Sequence, residues 1–292
     1  MASSNQAIAS HPRPTPALPR LDMTILFSFC GLKFLVHVLL LNRYGYFRDE
    51  LYFLDCGRHL DWGYVDHAPM IGLMAKVALL MGASLPVLRL FPALAGTGMV
   101  ALAVLIAWRV GGGRYAQALA GLSAVVVPVY LASDSIFTMN CLEPLFWMGC
   151  AYVLVRLIQT GDSRWWLGFG VLAGLGLMTK HSMLFFGFSV FLALLLTPQR
   201  KEFLKPWIWI GGAIAVMIFA PNLLWQVHHH FPTLEDLHNV QSSGKNVVLG
   251  RWHLSPSRSR SCTRYFSPSG WPGCGSTWPG EARATGCWAG PS

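Results

Sequence analysis

PMIGLMAKVALLMGA, residues 69–83, is the stretch on which the topology of this chain turns. It is apolar over fifteen residues, yet it carries Lys76 and falls short of the roughly 20 apolar residues that a membrane-crossing helix needs. Seven other stretches come closer to that length: 21–41, 86–108, 115–132, 142–158, 165–178, 183–197 and 207–225. If 69–83 does not cross, Arg13, Arg20, Arg109, Arg114, Arg156, Arg164, Arg200, Lys201 and Lys205 all fall on one side. That is the bias of cytoplasmic loops toward positive charge. If it does cross, the later basic clusters flip outward and the bias is lost. The reading is therefore an all-α, polytopic helical bundle of about seven spans with its N-terminus inside. Residues 69–83 then lie in the outer interface or re-enter the membrane.

The composition agrees. Hydrophobic residues make up 53% of the 292, charged residues only 12%, and the mean hydropathy is +0.45. A soluble domain carries about 25% charged residues, so the solvent of this chain is lipid. The net charge of +9 is spread in short bursts between apolar runs and forms no nucleic-acid-binding patch. The seven cysteines, at 30, 56, 141, 150, 262, 274 and 287, make neither a CxxC pair nor a metal spacing with histidine.

Three regions follow. Residues 1–20 hold four prolines and read as a disordered cytoplasmic tail. Residues 21–250 hold the spans. Residues 251–292 lose all apolar periodicity. They are rich in Ser, Arg, Gly and Pro, yet hold four Trp and three Cys, which disordered tails seldom do. They read either as a disordered tail or as an out-of-frame translation of a GC-rich gene.

On this topology most carboxylates collect on the outer face. Asp49, Glu50, Asp55, Asp61 and Asp66 lie in the long first loop, and Asp134 and Glu143 in the second. A carboxylate at the membrane surface, beside aromatic rings, can bind a cation or act as a general base toward a hydroxyl. Asp49 and Glu50 can equally be the first turn of a short helix. His67, next to Asp66, can orient a substrate or simply end a helix. Lys180 and His181 sit at an outer turn, where a cation could offset phosphate charge or a lysine could merely snorkel. Lys33 and His37, inside the first span, either snorkel or face the bundle. His228, His229 and His230 point in different directions on any regular backbone and so make a poor ion site. Gly111–Gly113 lacks the lysine of a phosphate loop and is a turn.

Arg48-Asp49-Glu50-Leu51-Tyr52, Gly57-Arg58-His59-Leu60 and Asp61-Trp62-Gly63-Tyr64-Val65-Asp66-His67-Ala68-Pro69 resemble the first outer loop of bacterial glycosyltransferase family 39. That family is similar to the dolichyl-phosphate-mannose–protein mannosyltransferases and the aminoarabinose transferases, with a GT-C fold. Asn140-Cys141-Leu142-Glu143-Pro144 is similar to its second acidic motif, Gly174–His181 to its lysine-bearing turn and Pro221–Gln226 to the exit of its seventh span. The resemblance covers about residues 21–250. It implies transfer of a sugar from a polyprenyl-phosphate donor to a lipid, glycan or protein acceptor on the outer side of the inner (plasma) membrane, by an inverting single displacement. It implies Asp49 as the catalytic carboxylate with Glu50 beside it and Glu143 in support. Lys180, His181, His67 and Asp66 would stand near the donor phosphate. It names no certain cofactor and leaves a divalent cation open. Two departures stand out: Ala68-Pro69 replaces the usual pair of prolines, and the further spans that the family carries after the seventh are missing. An inactive fragment of such a transferase, or a transporter, are the alternatives. A transporter predicts internal repeats and charges in mid-span, and no repeat is visible.

Overall fold

The computed structural model describes residues 18–82 and 84–242. The tail expected at 251–292 and nearly all of the one at 1–20 lie outside the described residues. Among the described residues the regular structure is helical throughout.

The first helix, α1 (Met23–Leu40), starts where the Asp22 carboxylate accepts the N–H of Ile25 at 3.1 Å. Two short helices follow, α2 (Arg48–Arg58) and α3 (Met70–Leu80). Then come α4 (Leu85–Arg109), α5 (Arg114–Val126), α6 (Pro128–Ser133), α7 (Glu143–Thr160), α8 (Trp165–Thr179), α9 (Met183–Leu196), α10 (Pro206–His228) and α11 (Pro232–Ser242).

Residues 69–83 do not cross. Their helix has 11 residues, roughly 16 Å at 1.5 Å per residue. Arg89, near the start of α4, donates to the carbonyl of Leu41, just past the end of α1, at 3.0 Å. The chain therefore enters and leaves this excursion at the same end of the bundle. Ile71, Ala75 and Ala78 of α3 pack with Phe53 and Leu54 of α2, Leu88 of α4 and Phe137 in one buried cluster.

The seven expected stretches are each built around helix, but among the described residues four helices are long and apolar enough to cross alone: α1, α4, α7 with its preceding turn, and α10. The count rises to five if α9 and the 3-10 helix Pro198–Leu204, bent by 108° from it, form one span. The expected span 115–132 is two helices. Pro128 has no N–H to continue α5 and pushes Val127 out of helical geometry, to φ −61° and ψ 120°. The expected span 165–178 is the 15-residue α8, held by packing more than by length. Its Gly170 lies against the backbone of Gly211 on α10, and a Cβ at Gly174 would come within 3.1 Å of Ala215. Such small-residue seams let two helix backbones approach closely in lipid.

Contacts at the helix ends fix the directions. Asp22 with Arg114, Trp108 with Pro19 and Ser163 with Glu202 gather one end. Arg89 with Glu50, Lys33 with Asp134 and Lys180 with Glu143 gather the other. Arg109, Arg114, Arg156, Arg164, Arg200, Lys201 and Lys205 lie toward the first end, and the acidic loops at the second.

Candidate active site

Two clusters meet at the acidic end. The first belongs to the loop that carries α2 and α3. Tyr52 Oη donates to Asp66 Oδ1 at 2.7 Å. Burial, and then that hydrogen bond, raise the Tyr52 phenol well above its ordinary range, so it stays a donor. His67 is 1% exposed. Its Nδ1 faces the Ala68 carbonyl at 2.8 Å and must carry the proton, because a carbonyl can only accept. Its Nε2 is then left to accept from the Cys56 thiol at 3.7 Å. Burial lowers the His67 pKa, against the Ala68 carbonyl and Asp66, which favour the charged form; His181 nearby adds to the lowering.

The second cluster joins the ends of α7, α8 and α9. Glu143, in the first turn of α7, accepts Lys180 Nζ at 2.9 Å on one oxygen and Ser182 Oγ on the other. Lys180 also donates to Asn140 Oδ1 at 2.9 Å. Two of its three ammonium donors are thus used and one remains for a ligand. The lysine side chain is 35% exposed and the glutamate 19%. His181 Nε2 meets Asn222 Oδ1 of α10 at 3.1 Å.

Asn222 and Trp225 dock the first cluster on the second. Asn222 Nδ2 donates to the Trp62 carbonyl at 2.9 Å and Trp225 Nε1 to Asp61 Oδ2 at 2.8 Å. Gly63 makes this possible: a Cβ there would collide with Trp225 and Asn222. A cavity of about 370 Å³ lies between Leu60–Trp62, the start of α3 and Met178 at the end of α8.

Asp49 and its neighbour Glu50 have opposite fates. Asp49 is 40% exposed, and the contact its carboxylate makes is with Arg48 Nε at 3.3 Å. Glu50 is fully buried. One of its oxygens accepts Arg89 Nε at 2.9 Å and the Phe137 N–H at 3.1 Å; the other accepts Arg89 Nη2 at 2.9 Å and the Phe47 N–H at 2.9 Å. That fills the roughly four lone-pair positions of a carboxylate. Arg89 gives its remaining donors to the carbonyls of Leu41, Tyr44 and Gly45. Glu50, expected beside Asp49 in the chemistry, has no free oxygen to offer a substrate here. It ties the first loop to Phe137, six residues before Glu143.

Sequence reasoning singled out neither Arg89 nor the roles of Asn140, Ser182 and Asn222. An arginine near the start of the apolar α4, away from the basic end that Arg109 occupies, was the available signal for the first. Lys33, fully buried, faces the bundle and pairs with Asp134 at 2.7 Å. The three consecutive histidines do not converge: His229 stacks on Trp225 at 4.2 Å, and His228 meets it edge-on. Among the described residues no group of three or more His, Cys, Asp or Glu is placed to share an ion, and no step below is routed through one.

The family model for dolichyl-phosphate-mannose-protein mannosyltransferase matches residues 66–225. It takes in Asp66, His67, Glu143, Lys180 and His181 and begins after Asp49 and Glu50. The lipid A galacturonosyltransferase RgtD of Rhizobium johnstonii is 25% identical over 239 residues, 80% of this chain and 49% of the relative. The chain thus spans about half the length of that curated relative. No solved structure matches it. A helical membrane bundle with a long first loop, matched over more than half of its residues, places this chain in the dolichyl-phosphate-mannose-protein mannosyltransferase family of GT-C-type membrane proteins.

Proposed function

We propose that the acidic end of the bundle transfers a sugar from a polyprenyl-phosphate donor to an acceptor hydroxyl on the outer side of the inner (plasma) membrane. The observation that carries this is Lys180, held by Glu143 and Asn140 with one ammonium donor left over. The acceptor oxygen attacks the anomeric carbon and its proton passes to Asp49, whose carboxylate is accessible. The bond from that carbon to the donor phosphate oxygen breaks, with inversion. The negative charge that leaves on the polyprenyl phosphate is offset by the third donor of Lys180 and by His181. Glu143 holds Lys180 in place and so acts through it. Tyr52, Asp66 and neutral His67 form the polar wall of the first loop. Glu50 acts as a positioning residue. The name of the Rhizobium relative, a lipid A galacturonosyltransferase, favours a lipid acceptor and a sugar acid.

The test is transfer of labelled sugar from polyprenyl-phosphate donors by the purified chain in lipid, beside its Asp49→Asn variant. The proposal expects transfer by the parent, and loss of at least about 100-fold in the variant, the lower range for a general base. Equal rates would remove Asp49 from the chemistry. No transfer by the parent from any donor would refute the function for this chain.

A further inference from the structure

The end of the bundle opposite the candidate site holds a second set of features that the sugar-transfer reading leaves unused. An apolar groove of about 160 Å³ runs between α8, α9, α10 and the 3-10 helix Pro198–Leu204. Glycines open it: Gly170, Gly187, Gly211 and Gly212 line it, with Phe191 and Phe203 among its walls. A Cβ at Gly187 or Gly212 would meet nothing within 4 Å. Phe191 is 47% exposed on this face, inside the part of the chain that lipid surrounds.

The mouth of the groove is basic and aromatic. Trp166 and Ile208 line it, and their neighbours Arg164 and Trp207 stand together, the guanidinium 5.8 Å from the ring centroid. Arg156 of α7 lies over Trp165 at 5.0 Å. Of the two carboxylates nearby, one is paired with a cation and the other is not. Glu202 takes Lys205 at 2.7 Å, Ser163 at 2.8 Å and Trp166 Nε1 at 3.3 Å, while Asp162 accepts the backbone N–H of Arg164 at 3.0 Å. Among the described residues no carboxylate lies within ion-pair distance of Arg156 or Arg164. Arg200 and Lys201, on the 3-10 helix, add charge of the same sign.

We propose that this end binds one anionic phospholipid, its phosphate between Arg156 and Arg164 and one acyl chain in the glycine-lined groove. Two unpaired guanidiniums on tryptophan rings at the membrane surface select a phosphate. An apolar slot directly beneath them, in lipid, takes a hydrocarbon chain. A zwitterionic lipid satisfies the slot but brings its own cation to the arginines.

The test is native mass spectrometry of the purified chain in detergent with phosphatidylglycerol or phosphatidylcholine added. The parent should keep one phosphatidylglycerol through a dilution that strips phosphatidylcholine. Arg156→Ala with Arg164→Ala should weaken phosphatidylglycerol roughly 30-fold, from about a factor of five per basic residue near an anionic surface. Gly187→Leu fills the slot where nothing obstructs the new side chain, so it tests the site even if the arginine variant fails to fold. It should weaken phosphatidylglycerol and leave the binding of inorganic phosphate itself unchanged. Equal retention of the two lipids, or full binding by both variants, would overturn the proposal. So would loss of the lipid on Lys180→Met, which would move it to the other end.

Discussion

Replacing Arg89 by alanine separates holding from reacting at the first acidic motif. Arg89 is 4% exposed and Glu50 fully buried, so removing the guanidinium leaves the Glu50 carboxylate without its cation. Breaking a buried pair by deleting one partner costs about 3–5 kcal/mol, because the other charge is left unpaired. The carbonyls of Leu41, Tyr44 and Gly45 lose their donors as well, at about 1 kcal/mol each. Even the lower bound, about 3 kcal/mol, is roughly a 100-fold loss in the folded-to-unfolded ratio. The assay is a denaturing-detergent titration in mixed micelles, followed by helical circular dichroism. Asp49→Asn, at a half-exposed position, should fall within about 0.5 kcal/mol of the parent in the same titration. Arg89→Met with Glu50→Leu removes the unpaired charge but leaves the three carbonyls and the Phe47 and Phe137 N–H groups without partners, so it should recover only part of the loss. If Arg89→Ala costs less than about 1 kcal/mol, or no more than Asp49→Asn, then Glu50 is not the anchor described above and its role returns to the chemistry.

Two further outcomes follow from the same reasoning. His67 has a folded-state pKa below the ordinary 6.5, burial being the main cause, so the unfolded chain takes up a proton that the folded chain resists. Stability should therefore be level above pH 6.5 and fall as the pH drops through that value toward the lowered folded-state pKa. His67→Gln should flatten that limb of a melting-temperature profile. The buried Lys33–Asp134 pair predicts a cost of about 3–5 kcal/mol for Lys33→Met alone and near recovery in Lys33→Met with Asp134→Leu, read by the same detergent titration. A double variant as unstable as the single one would mean that the pair does more than neutralise itself.

The bundle was legible in the sequence because lipid imposes a simple rule. Apolar length marks the helices, and the distribution of the arginines led to reading residues 69–83 as a segment that does not cross, in line with the short helix found there. Helix breaks were less legible. Pro128 splits one expected span while Pro92 and Pro221 sit inside unbroken helices, so proline alone does not say which. The α8–α10 seam depends on glycines that are far apart in the sequence, and nothing local identifies Gly170 and Gly211 as partners. Motif resemblance singled out Glu143 and Lys180, and the fold brings them together. It treated Asp49 and Glu50 alike. Adjacent residues on a helix point about 100° apart, so one faces outward and the other into the arginine, a difference that appears only once α4 is packed beside α2.

Lys180, held by Glu143, is proposed to receive the donor phosphate, and polyprenyl-phosphate binding to the purified chain, with and without Lys180→Met, tests this. One charge-assisted hydrogen bond of about 1.5–3 kcal/mol corresponds to roughly 10- to 100-fold in affinity. Lys180→Met should show that loss, and Ser189→Ala, whose hydroxyl bonds the Phe185 carbonyl on the exposed side of α9, should leave the affinity unchanged. Equal affinity in the parent and in Lys180→Met would contradict it.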